Sequence, residues 1–249
     1  MIPALIHRRI WLWKNRLLPS AFLFFMLPVF IFSMISLPLK NIIQFSLAGI
    51  PYDMWVFPGM IFIISSLSMF PIIYREFFEL RIHGKVLINI ALTPHSKRTI
   101  IFSYLVTAGI EAFVMIIFSM IVYASFIQIT FNVPSIIFLI FCLAIYNLVL
   151  GNLYITMSLI IDTLTTMLLG TFMLFLLVLF GNGFLIEFSF FPLRLESLLE
   201  WSPLAIPFQI YQKFHSTGLI DYVSITIIIG LIYIWILLNS QILKQKLRQ

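Results

Sequence analysis

Cysteine and charge are what this sequence most lacks. One cysteine, Cys142, stands among 249 residues, so the chain forms neither an intrachain disulfide nor a cysteine-built metal site. Only 10% of the residues are charged and 62% are apolar, with 27 phenylalanines, a composition outside the range of water-soluble domains. The reading is an integral membrane protein in which lipid covers much of the apolar surface. Catalytic signatures are missing as well: there is no H-E-x-x-H and no G-x-S-x-G, which leaves no zinc-protease helix and no serine-hydrolase elbow. Gly84-Lys85 is followed by Val86 and has no glycine five residues earlier, so it is not a phosphate-cradling P-loop. The histidines, His7, His83, His95 and His215, are scattered and read as interfacial polar residues. A net charge of +6 without a dense basic patch excludes a nucleic-acid surface.

The few charges divide the chain. A helix needs about 20 residues to cross roughly 30 Å of hydrocarbon. Charge-free intervals of sufficient length run from Arg16 to Lys40, Asp53 to Arg75, Glu111 to Asp162, Asp162 to Glu187 and Asp221 to Lys244. The third is too long for one crossing and breaks near Asn132-Val133-Pro134, where a helix stop is written. The pattern predicts an all-α integral membrane protein with six transmembrane helices over 18–39, 54–74, 99–128, 135–161, 164–186 and 222–243. Pro28 is expected to kink the first, and Pro58-Gly59 open the second within VFPGM. An apolar run longer than a signal core argues against cleavage after Ala48.

Lysine and arginine set the orientation. Four lie in the N-terminal segment, five in 75–98 and three in the C-terminal tail, against Lys40, Arg194 and Lys213 elsewhere. Both termini and residues 75–98 are therefore expected in the cytoplasm. Residues 1–17 place Ile2, Leu5, Ile6, Ile10 and Trp13 near one side and His7, Arg8 and Lys14 on another, the pattern of an interfacial amphipathic helix with Trp11 and Trp13 at headgroup depth. Residues 187–221 are too apolar for a solvated loop and too broken by Pro192, Pro203 and Pro207 for a crossing. Short re-entrant or half-buried helices before the last span fit that composition, packed where non-helical backbone has protein around it.

Two segments draw functional attention. In 75–98, Arg81, Lys85 and Asn89 recur every fourth residue, a polar stripe on a helix that Thr93-Pro94 stops ahead of His95 and Lys97-Arg98. This is the pattern of a cytoplasmic docking element. Glu111 falls 13 residues beyond Arg98, roughly 20 Å along a helix, where a charged carboxylate costs on the order of 2.5–3.5 kcal/mol on insertion scales. It reads either as a pathway or gating group or as a carboxyl bonded to Ser, Thr or Asn of a neighbouring helix, and Glu111→Gln is expected to fold. Asp162 reads as a helix N-cap before Thr163.

At this point the chain resembles the ABC type-2 exporter permeases, the membrane subunits for O-antigen, capsule, teichoic-acid, nodulation-factor and drug export. The resemblance covers nearly the whole chain: the N-terminal helix, VFPGM, ALTPHSKRTII, and FFPLRLESLLEWSPLAIPFQIY before the last span. One departure is Ile88-Asn89, where many members carry a carboxylate. The resemblance implies a single permease domain over 1–249 in the bacterial inner (plasma) membrane. It further implies dimerisation with a second copy, and two copies of a separate ABC ATPase that bind ATP and Mg, with no cofactor and no catalytic site on this chain. Arg81, Lys85, Asn89, Thr93, Pro94 and His95 would couple to that ATPase, and 187–213 would form the extracytoplasmic helices. The cargo would be bulky and amphipathic, a polysaccharide or glycolipid ahead of a drug. The alternatives are a proton-coupled carrier using Glu111 and a membrane assembly subunit without a transport path.

Overall fold

The computed structural model describes residues 1–15, 17–46, 51–82, 95–126 and 132–246. Helices build it: α1 Ile2–Lys14, α2 Leu17–Ile31, α3 Leu37–Ile42, α4 Tyr52–Ile73, α5 Leu80–Ile82, α6 Lys97–Phe126, α7 Val133–Ile160, α8 Leu164–Phe180, α9 Leu193–Glu200, α10 Ile206–Thr217 and α11 Tyr222–Lys246. Among the described residues the only β pairing is an isolated bridge between Phe45 and Pro51. An all-α membrane protein is thus what the sequence folds into, as its long apolar runs require, because a helix satisfies every backbone polar group without a neighbour.

Among the described residues, five helical stretches are long and apolar enough to cross a bilayer: Phe24–Ile42, Tyr52–Ile82, Lys97–Phe126, Val133–Ile160 and Tyr222–Lys246. The helix expected over 164–186 is shorter, ending at Phe180 after 17 residues, about 26 Å at 1.5 Å per residue. Gly181, Asn182 and Gly183 end it, Gly183 with φ +74°, a left-handed conformation that glycine adopts without penalty. Residues 181–185 are all buried, so this non-helical backbone is covered by protein. The break expected near Asn132 is there: α7 starts at Val133 with Pro134 in its first turn, where a missing N–H is harmless.

At the centre stands α4. Every residue from Val56 to Ser66 is buried, with α6 and α7 packed along it. Lipid tails are as apolar as leucine, so helix association rests on close packing and on hydrogen bonds between helices. Both are visible. Ser65 donates to the Asn147 side-chain oxygen, and the Ser66 and Tyr146 hydroxyls lie 2.6 Å apart, tying α4 to α7. Asn239 of α11 donates to the Asn152 carbonyl at 3.0 Å and accepts from Thr156 at 2.7 Å, and the Trp235 indole donates to Thr156 at 2.8 Å. The first crossing continues through Pro28 and widens into a π turn at Phe32–Ser36, and the Tyr123 hydroxyl donates to the Pro28 carbonyl at 3.1 Å. Cys142 is buried within α7.

Ion pairs mark the two ends of the bundle. Asp162, between α7 and α8, meets both Arg81 and Lys246, which brings α5, the α7–α8 turn and the end of α11 together. The opposite end carries Lys40–Asp53 and Lys213–Asp221.

Candidate functional site

Three places hold the chemistry-bearing side chains. The first is the expected docking segment. Lys85, Asn89, Thr93 and Pro94 lie outside the described residues; Arg81 and His95 lie within them. His95 is exposed just ahead of α6. Arg81 turns into the bundle: its Nη1 donates to Asp162 Oδ1 and its Nη2 to the Ile161 carbonyl, each at 2.6 Å. Lys246 Nζ completes the group at 2.9 Å from Asp162 Oδ2. Asp162 is therefore the hub of an ion-pair triad and not the N-cap expected from sequence; that position belongs to Thr163, whose hydroxyl donates to Thr166 at 2.6 Å. Hydrogen bonds from Lys246 and then Arg81 hold the Asp162 carboxyl below the usual carboxylate range.

The second place is a cluster beneath α1. A π turn at Tyr74–Glu79 continues α4 and buries Glu76, Phe77 and Phe78 in succession, a widened, under-wound step that shifts the register of the side chains after it. Glu76 is only 3% exposed and faces Arg8 at 3.1 Å and Arg9 at 3.9 Å. Glu111, on α6, accepts the Trp13 indole N–H at 2.8 Å on one oxygen and forms an ion pair with Arg9, whose Nε lies 2.8 Å from the other. Arg9 and Trp13 are four residues apart, hence on one helix face. Two guanidiniums thus answer two carboxylates, which is how buried charge is tolerated. Leu5 and Trp13 of the expected apolar side face the bundle together with Arg8 and Arg9, whereas His7 and Lys14 are exposed and Ile10 and Trp11 are each more than half exposed, so α1 does not divide into the two sides that the sequence suggests. Neither Ser, Thr nor Asn is the partner of Glu111. The signal that could have found this pairing was an arginine and a tryptophan at i and i+4 ahead of a carboxylate in mid-span.

The third place was not singled out from sequence as a site. A cavity of about 650 Å³ opens at the Lys213–Asp221 end, between the starts of α4 and α7, the segment after Gly181, and the α9–α10 pair. Its construction depends on a close backbone approach: a Cβ at Gly59 would stand 2.1 Å from the Phe184 carbonyl oxygen. That contact admits residues 181–186 against α4, where Phe184 packs on Phe62, Tyr146 and Phe208 with ring centroids 5.2, 5.7 and 5.0 Å apart. Phe208 in turn forms part of the cavity wall. The short helices expected before the last span are α9 and α10; the Gln209 amide donates to the Glu200 carbonyl at 2.9 Å and sets them in register, and Gly218 at φ +71° caps α10. Among the described residues no group of three or more His, Cys, Asp or Glu could hold a metal ion.

The fold and these sites define a multi-pass helical membrane protein. Comparison with protein-family models, with curated proteins and with solved structures finds no match.

Proposed function

We propose that this chain is the membrane-spanning subunit of an ABC exporter of the type-2 kind, acting as a dimer with two copies of a separate ATPase in the bacterial inner membrane. In this reading the chain crosses six times, Leu164–Phe180 being the short fifth crossing, with both termini in the cytoplasm. ATP closure at the partner pushes on the 75–98 coupling segment, and the bundle passes a bulky amphipathic cargo outward, a polysaccharide or glycolipid ahead of a drug.

The observation that carries the reading is the Arg81–Asp162–Lys246 triad. It fastens the start of the predicted docking segment to the α7–α8 turn and to the end of α11, at the end of the bundle to which most of the chain's lysines and arginines belong. A push delivered there by another polypeptide reaches two crossings directly instead of dissipating in a loose loop. The absence of any nucleotide-hydrolysing motif in the sequence is the second support. Against proton coupling through Glu111 stands its engagement by Arg9 on one oxygen and Trp13 on the other.

The test is co-isolation. The tagged chain is expected to purify with an ATPase subunit, and replacing Asn89 and Pro94 by bulky acidic residues is expected to loosen that association or uncouple hydrolysis while leaving membrane insertion intact. Unchanged ATPase association and activity in those variants would refute the docking role, and proton-driven transport by the isolated chain would refute the whole reading.

A further inference from the structure

The cavity at the Lys213–Asp221 end has a lining out of keeping with the rest of the chain. The protein carries a net charge of +6, yet the carboxylates of Glu187, Glu196 and Glu200 line this cavity, with Lys213 and His215 as its basic residues. Lys213 is already committed: its ammonium lies 2.7 Å from Asp221, and Asp221, held below the usual carboxylate range by Lys213 and then by the Ser224 backbone N–H, is a permanent anion at neutral pH. His215 stacks on Tyr211 with its plane tilted by 15°. Glu196 and Glu200 sit four residues apart on α9, hence on one face, and neither makes an ion pair with a described residue.

Like charges at that spacing repel by a few tenths of a kcal/mol, and a cation held between them relieves that repulsion. Opposite them the walls are aromatic: Trp55, Phe57, Phe188, Phe208 and Tyr211. Aromatic faces carry negative potential and attract ammonium and quaternary cations as well as apolar bodies. The cavity's volume, about 650 Å³, is that of a drug-sized ligand site. A neutral saccharide would also use aromatic platforms and the amides of Gln209 and Gln212, but it gives the unpaired carboxylates of α9 nothing to answer their charge.

We infer that this cavity is a binding site for an amphipathic organic cation, an ammonium or quaternary centre held by Glu196 and Glu200 with its apolar body against Trp55 and Phe188. Gly183, whose Cβ would meet the Phe188 ring at 2.8 Å, keeps that ring in the wall. The site is a property of this chain alone and does not rest on the exporter reading: loss of the ATPase partner would leave it standing, and loss of cation binding would leave the exporter reading standing.

The test is equilibrium binding of radiolabelled tetraphenylphosphonium to the full-length chain in nanodiscs of zwitterionic phosphatidylcholine, where the lipid surface does not itself concentrate cations. Saturable binding at one site per chain is expected. The Glu196→Gln/Glu200→Gln variant should bind roughly tenfold more weakly, since two charge-assisted contacts are lost. Glu196→Asp/Glu200→Asp should stay within about threefold, the charge being kept. Glu79→Gln, an exposed carboxylate at the far end of the bundle, should bind as the parent does. Absence of saturable binding, unchanged affinity in the double Gln variant, or displacement of the cation by octyl glucoside as effective as by excess unlabelled cation would each overturn the assignment. If the double variant does not elute as the parent does, the single Glu200→Gln at an exposed position is read instead, with a weakening of about threefold expected and unchanged affinity again overturning the site.

Discussion

Arg9 Nε lies 2.8 Å from Glu111 Oε2, joining the N-terminal helix to the middle of α6. The side chains are 14% and 17% exposed, so both charges are largely withdrawn from water and each depends on the other. Sequence alone makes Glu111→Gln a tolerable change; the pairing makes it a disruptive one.

Glu111→Gln keeps an acceptor for the Trp13 indole but leaves Arg9 facing a neutral group. Breaking a fully buried pair costs about 3–5 kcal/mol; with the residual exposure here we expect about 2 kcal/mol. Arg9→Met in the same chain removes the stranded charge, and more than half of the loss should return. Thermal unfolding midpoints of the parent, the single and the double variant in one lipid check this; equal midpoints for the single and the double variant would contradict it.

Gly59→Ala introduces a Cβ 2.1 Å from a backbone oxygen of Phe184. Backbone on both sides cannot rotate away, so destabilisation should reach or exceed the upper part of the ~1–3 kcal/mol range of overpacked cores. Gly230→Ala meets nothing within 4 Å and lies inside α11, where alanine is better than glycine by up to about 1 kcal/mol. The two variants should move the unfolding midpoint in opposite directions.

Asn239→Leu removes the donor to Asn152 and the acceptor of Thr156. Hydrogen bonds between membrane helices average about 0.6 kcal/mol and reach about 1.7, so a loss of around 1–2 kcal/mol is expected. Trp235 donates to the same Thr156, and its fluorescence should shift when that hydroxyl loses its place. An unchanged spectrum and midpoint would mean the network contributes nothing.

The Asp162 carboxyl is held below its ordinary value of about 3.9. A depressed acid stabilises the fold above its unfolded pKa and loses that contribution as pH falls through the folded one. Stability from the triad should therefore be constant from neutral pH down to about 5 and decline only below about 4. Asp162 is more than half exposed, so the total is small, under about 1 kcal/mol. Asp162→Asn should flatten this acid limb and leave neutral stability nearly unchanged.

Much of the fold was legible because the chain has so few charges. The intervals between them located the long apolar helices other than α6, which runs through Glu111, and Asn132-Val133-Pro134 marked where α7 starts. The same rule overran the fifth segment: residues 181–186 are apolar and uncharged, yet Gly181-Asn182-Gly183 ends α8, and the backbone beyond is sheltered by α4 through Gly59. Composition reports where a segment is content to be, not whether it is helical there. The sites were less legible. Periodicity placed Trp13 on the apolar side of the N-terminal helix and left Arg9 unassigned, and it could not say that Glu111, 98 residues from Trp13, would meet both. Glu187, Glu196 and Glu200 are ordinary surface acids in sequence, and only the packing of α10 on α7, with α9 joined to it through Gln209, gathers them around one hollow. Of the docking stripe, Arg81 is drawn into the bundle by Asp162, a contact that a four-residue period cannot announce.

The solitary thiol of Cys142 is fully buried within α7, away from any reagent dissolved in water. Any cysteine introduced at a surface position is then the sole reactive sulfur on the molecule. Maleimide modification, spin labelling and cross-linking of a second copy can all be read on the native background, and a single conjugate at position 194 or 95 reports which side of the bilayer each end of the bundle faces.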